Sequence, residues 1–258
     1  MFAQIGERAR DTSADVLISS ELLSWYDVGT FVDSLLQHLG DGPWQPEILL
    51  VCREHFEIVA STYNQWVRDG NVRERAEPDA FLRTESTEFS YASIRQNLCA
   101  NGIAITALNY HPAEDFVPRF LRHIGLSADH PISNDRRNPS IGRKALVATF
   151  AANHVAQTTE DRNRYFAALG KMRGFFSPSE FIFGREAAET ADVLFREDRR
   201  FLSDEFGLTL PAFNPAARQN MFFVDDAELD EITEATRDLG DAGEAIVDFA
   251  RRYTRVRR

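Results

Sequence analysis

Residues 47–71 hold the pattern that most narrows the folds open to this chain. Glu47-Ile48-Leu49-Leu50-Val51-Cys52 is a near-continuous apolar run of strand length, as in a strand buried on both faces. After a short break, Phe56, Val59, Tyr63 and Trp66 recur at helical spacing until Asp69-Gly70 stops them. The same succession returns further on. Gly102-Ile103-Ala104-Ile105-Thr106-Ala107-Leu108 reads as a strand, and a helical pattern follows from Asp115 to Ile124. Upstream, Asp15-Val16-Leu17-Ile18-Ser19-Ser20 predicts another strand. The helix after it, Val28 to Leu39, has Phe31, Val32, Leu35, Leu36 and Leu39 on one face and Gly40 as its stop. Short apolar strands alternating with longer helices predict an α/β fold, a parallel sheet flanked by helices.

The rest of the chain reads as helix and loop. A helix is expected near Ser90 to Cys99. Residues 129–142, rich in Pro, Ser, Asn, Asp and Arg, read as a loop, and helix resumes from Lys144 to Val155. After a break at Gly174 to Pro178 comes a helix from Glu186 to Phe206, and Pro211 to Pro215 closes the compact part. This predicts an α/β domain over 1–215. Residues 216–258 form an acidic, helix-prone tail whose basic end, Arg251 to Arg258, suits a helix terminus.

Charge and composition exclude several function classes. Forty acids against 29 Lys and Arg leave a net charge of -11, without the broad positive field that draws nucleic acid, so an anionic ligand must be held by a local cluster. The first 21 residues contain no apolar leader, and no run approaches the roughly 18 apolar residues of a membrane span, which predicts a cytoplasmic protein. Cys52 and Cys99 lie in separate apolar runs and read as buried thiols rather than a disulfide pair. His55, His123, His130 and His154 share no ligand spacing with acids, so no metal is expected. Gly170-Lys171 lacks the earlier glycine and the preceding strand of a phosphate loop. No oligomeric state is readable.

In open parallel sheets, ligands gather outside the carboxyl ends of strands. Ser20-Glu21, Arg53 and Tyr110-His111 occupy those places; His111, beside Pro112, reads as a surface or supporting residue. Arg53 follows a buried strand, Ser61 comes eight residues later within a helix, and Asn64 and Gln65 follow in its next turn. A guanidinium fork and a hydroxyl suit a phosphate, but Arg53 paired with Glu54 or Glu57, and Ser61 filling a helix position, would leave the same sequence. Glu21 is open in the same way: a strand-end carboxylate within reach of an acceptor, or an acid complementing a helix N-terminus.

The segment ILLVCREHFEIVASTYNQWVRDGN resembles the 3'-phosphate-binding strand-loop-helix of sulfotransferases, where an apolar strand runs into Arg and Ser follows eight residues later. REHFEIVASTYNQWVRDGN is similar to bacterial members that act on carbohydrates. Further echoes keep the family's order: VLISSELLS, ITALNYHPAEDFVPRFLRHIGL, RRNPSIGRKALVATFAANH and VLFREDRRFLSDEFGL, so the resemblance spans about residues 14 to 210.

That resemblance implies a P-loop NTPase-like sulfotransferase fold with a helical C-terminal part. It implies Arg53 and Ser61 on the 3'-phosphate of 3'-phosphoadenosine 5'-phosphosulfate (PAPS). Arg137, Asn138 and Ser140 would close over the nucleotide, and Glu21 would be the general base, its pKa raised by desolvation between Leu22, Trp25 and the sheet. The implied reaction moves a sulfuryl group to a hydroxyl of a saccharide or glycolipid without a metal. The chain departs from the family at its start. Ile5-Gly6-Glu7-Arg8 has one glycine and no lysine where a Gly- and Thr/Ser-rich loop with Lys cradles the 5'-phosphosulfate, so the expectation is an N-terminally truncated fold. The alternatives are a degenerate, non-catalytic scaffold or nucleotide-binding relative and, ranked lower, a nucleotide kinase needing Mg²⁺ and the same loop.

Overall fold

A computed structural model describes residues 7, 15–19, 28–40, 42, 44–99, 103–110, 116–127, 140–178, 180–214 and 217–254, the side chains of 28 and 97–99 excepted. The described chain is mostly helical, with one parallel strand pair. Helix α1 (Val28–Leu39) ends where Gly40 turns to φ 77°, a left-handed backbone that glycine adopts without a Cβ clash. Strand β1 (Glu47–Cys52) pairs in parallel with β2 (Ala104–Asn109), in register from Glu47↔Ala104 to Cys52↔Asn109. Between them lie α2 (His55–Arg68), α3 (Pro78–Glu85), a 3₁₀ turn (Ser86–Phe89) and α4 (Tyr91–Cys99). After β2 come α5 (Phe116–His123), α6 (Arg143–Val155), α7 (Thr159–Leu169), α8 (Arg185–Phe206), α9 (Asp226–Thr236) and α10 (Asp241–Arg251).

The α/β class with a parallel sheet is therefore present, with fewer strands than the sequence suggests. Residues 15–19, expected as a strand, have no regular secondary structure, although Val16 and Ile18 are half-buried and Asp15, Leu17 and Ser19 exposed. Alternating burial suits an extended chain, but a strand also needs a hydrogen-bonded neighbour, and among the described residues only β1 and β2 form a sheet. Two helices went unread. In α3, Pro78 stands at the first turn, where its missing N–H costs nothing. In α7, the Thr158 hydroxyl accepts from Asp161 N–H at 3.0 Å while Asp161 accepts from Thr158 N–H at 3.2 Å, a capping box with Asp in the usual Glu place.

The chain divides into two compact units: residues 1–54, 87–128 and 196–211, and residues 55–86, 129–195 and 212–258. The first has a modest core, in which buried Val32 packs with half-buried Phe31, Leu36, Ile48, Ile94, Ile103 and Ile105. The second is built on α6, whose residues 145 to 153 are all buried, as in a helix surrounded by others. Helices α2, α7 and α10 pack on it, so residues 212–258 belong to this unit's core. A Cβ at Gly243 would lie 2.2 Å from the Thr236 carbonyl oxygen, so the first turn of α10 approaches the end of α9 as only glycine allows.

Polar side chains, Asn64, Asn153 and Arg162 buried and Arg75 exposed, tie the second unit's helix ends together. Asn64 on α2 donates to the Ile141 carbonyl (2.8 Å) and accepts from the Ile141 N–H (3.1 Å). Asn153 donates to the carbonyls of Val67 (2.9 Å) and Glu74 (3.1 Å). Arg162 donates to Asn153 Oδ1 (3.2 Å) and to the carbonyls of Val67 and Arg68 at the end of α2. Arg75 does the same for α6, through the carbonyls of Asn153 (2.8 Å) and Ala156 (3.1 Å). Carbonyls left over in a last helical turn thus acquire cationic donors.

Candidate functional site

The carboxyl end of the strand pair, within the first unit, is the place the sequence singles out. The Tyr110 N–H donates to the Cys52 carbonyl at 2.6 Å, the last rung between the chains. Arg53 comes next, past the ladder, and its peptide is held by one side chain. The Tyr91 hydroxyl accepts from the Arg53 N–H at 2.6 Å and donates to the Arg53 carbonyl at 2.8 Å. One hydroxyl thereby pairs both backbone groups of the strand-end residue.

Tyr91 is itself fixed. Ser90 caps α4, its hydroxyl accepting from the Ser93 N–H (3.2 Å) and donating to Asp198 (2.8 Å). The Asp198 carboxylate, 4% exposed, also accepts from the N–H groups of Tyr91 (2.9 Å) and Ala92 (2.8 Å). A carboxylate on free N–H groups at a helix start is favourable on both hydrogen-bonding and dipole grounds. Burial pushes the Tyr91 phenol well above its ordinary value, so the hydroxyl keeps the proton it donates.

The Arg53 guanidinium carbon lies 5.6 Å from the Tyr110 ring centroid, and the Tyr110 ring meets Phe116 edge-on at 5.4 Å. A half-buried cation beside an aromatic ring at the end of a parallel strand pair can take a planar or tetrahedral oxyanion through two N–H groups. Beneath it, burial, reinforced by the Asp198 charge, pushes the Cys52 thiol up to about 12. Cys52, fully buried and a free thiol, is therefore a core group and no nucleophile.

The other predicted residues are placed as follows. Ser61 is half-buried on α2, in the second unit, whereas Arg53 belongs to the first. Ser140, also half-buried and in the second unit, accepts at its carbonyl from the Ser177 N–H at 3.1 Å. Asn64, three residues after Ser61 on a neighbouring helix face, grips Ile141, the residue after Ser140. Glu21, Arg137 and Asn138, with Leu22, Trp25 and His111, lie outside the described residues.

The described histidines make local contacts. His55 stacks on Phe195 at 4.5 Å, His154 stacks on Phe249 at 4.4 Å, and His123 lies 3.6 Å from Glu47. Among the described residues, no three His, Cys, Asp or Glu side chains gather as metal ligands. No described helix is long and apolar enough to cross a membrane.

Tyr91 and Asp198 are the residues the sequence reading missed. They are 107 positions apart, and Asp198 stands in a charged helix where only burial separates it from its neighbours. Spacing gives no sign of the pair. The second unit also has an open recess whose lining includes Asn220, Phe222, Phe223, Arg252 and Tyr253, with the Tyr253 hydroxyl donating to Glu77 at 2.8 Å. No family model, curated protein or solved structure matches the chain.

Proposed function

We propose that the protein binds PAPS, with Arg53 on its 3'-phosphate, and transfers the sulfuryl group to a hydroxyl of a saccharide or glycolipid. The observation that carries this reading is the setting of Arg53: a cation just past the carboxyl end of a parallel strand, its peptide anchored and its guanidinium beside Tyr110. Order along the chain supports it too, since β1 runs through Arg53 and Glu54 into α2, whose seventh residue is Ser61.

In the transfer, the acceptor oxygen attacks sulfur in line and an O–S bond forms. The bond from sulfur to the phosphosulfate bridging oxygen breaks, its electron pair leaving with adenosine 3',5'-bisphosphate. Glu21 takes the acceptor's proton as the attack proceeds. Arg53 holds the remote phosphate, and binding energy there positions the reacting centre.

Calorimetry with adenosine 3',5'-bisphosphate tests the reading. The wild-type chain is expected to bind with a dissociation constant on the order of micromolar, about −8 kcal/mol. Arg53→Ala is expected to weaken binding by about 10- to 100-fold, following the strength of hydrogen bonds to charged groups. A folded wild-type chain that does not bind sinks the proposal. Binding without sulfuryl transfer to any hydroxyl leaves a non-catalytic nucleotide-binding relative.

A further inference from the structure

We infer that Tyr91 is the positioning residue of the anion site: its hydroxyl, anchored through α4 to Asp198, holds the Arg53 peptide in the orientation in which the guanidinium meets a phosphate. This rests on the reading of Arg53 given above. A strand end is a poor place for a fixed cation, because the ladder that holds the backbone stops there. The last rung is the Tyr110 N–H on the Cys52 carbonyl; the N–H of that same peptide and the Arg53 carbonyl that follows are held by a tyrosine 38 positions away.

The anchor is stiffer than a typical side-chain contact. Tyr91 is 3% exposed and its hydroxyl makes two hydrogen bonds to one residue, at 2.6 and 2.8 Å. Its own backbone is bound to the buried Asp198 carboxylate, which also holds Ser90 and Ala92. Two backbone hydrogen bonds to one hydroxyl fix the direction in which the Arg53 side chain leaves the strand end. A guanidinium fork is directional, so a small misorientation loses one of its two contacts with a phosphate. Tyr91 therefore sets the preference for a nucleotide that carries this phosphate over one that lacks it.

Calorimetry with adenosine 3',5'-bisphosphate and adenosine 5'-monophosphate, on wild type, Tyr91→Phe, Arg53→Ala and the double variant, tests this. Tyr91→Phe is expected to weaken the bisphosphate about tenfold, one hydrogen bond to a charged group, and to leave the monophosphate within about twofold. The double variant should be no weaker than Arg53→Ala, because both act on one contact. A merely structural role weakens both nucleotides alike and overturns the inference, as does Tyr91→Phe with unchanged bisphosphate affinity while Arg53→Ala loses it. A wild-type chain that binds neither nucleotide overturns the underlying reading and this inference with it. A measurement on the wild type guards against a variant that does not fold: hydrogen exchange at the Arg53 amide. Protection comparable to the β1 amides is expected, and exchange at the rate of an exposed loop overturns the inference.

Discussion

Arg162 and Arg53 are each placed beside the end of a secondary-structure element, one in each unit, and they are held in opposite ways. Arg162 is 3% exposed and spends its guanidinium on the carbonyls of Val67 and Arg68 and on Asn153. Burial depresses its pKa to about 10, an electrostatic cost met by those acceptors. Arg53 is held by its peptide, through Tyr91, and carries its half-buried guanidinium beside Tyr110. An arginine whose fork is committed to carbonyls locks a fold. One whose peptide is bound by a buried tyrosine has the direction of its side chain fixed at the backbone. The surroundings differ in the same sense: the second unit places Arg162 in a deep helical core, while the first surrounds a two-stranded sheet with mostly half-buried apolar residues.

The contrast is sharpened most by core substitutions. Phe150, fully buried against Phe222, Phe249 and Tyr253, is expected to cost about 3–5 kcal/mol as Phe150→Ala, read from denaturant unfolding. Val32→Ala in the first unit should cost about 1.5 kcal/mol, two methyl-sized groups from a small core. Equal costs would break the comparison. Arg162→Ala, which strips donors from buried carbonyls, is expected to cost about 3 kcal/mol. Arg53→Ala should change stability by less than about 1 kcal/mol while abolishing most bisphosphate binding.

Cys52 gives the first unit a pH dependence of its own, separated from that of other groups by substitution. The Cys52 thiol titrates near 12 when folded, against an ordinary value of 9.0. Between those values the unfolded chain loses a proton that the folded chain keeps. The stability contributed by Cys52 is therefore intact below about pH 9 and declines as pH rises toward 12. Cys52→Ala should flatten the fall in urea midpoint between about pH 8.5 and 10.5; an unchanged slope would mean the thiol is accessible. The smallest effect belongs to Arg200→Ala on α8, whose pair with Glu197 at 2.9 Å has side chains 63% and 70% exposed. It should move stability by no more than about 0.5 kcal/mol.

The elements most legible in the sequence are those whose own period and stop signals decide them. Helix α1 and strand β1 lie at the expected residues, because Gly40 supplies the left-handed stop and Ile48 to Cys52 leave no polar interruption. Helix α7 was unread because its start depends on Thr158 and Asp161 rather than on an apolar stripe. At the site, Arg53 was legible from its place after an apolar strand, and Tyr91 was not. What marks Tyr91 is contact with a residue 38 positions away, and sequence spacing carries no record of such contacts.

By itself, then, the order of residues determined the alternation of apolar runs and helical faces, the lack of a general field for nucleic acid, and a cation at the end of β1. These follow from local periodicity, charge and side-chain chemistry. Tertiary structure alone decided that 15–19 stay out of the sheet, that α9 and α10 enter the second core, and which arginine is locked by carbonyls and which by its peptide. Burial and hydrogen-bond partners are set by chain segments that meet only on folding, so the same residue type is bound through its guanidinium at 162 and through its peptide at 53.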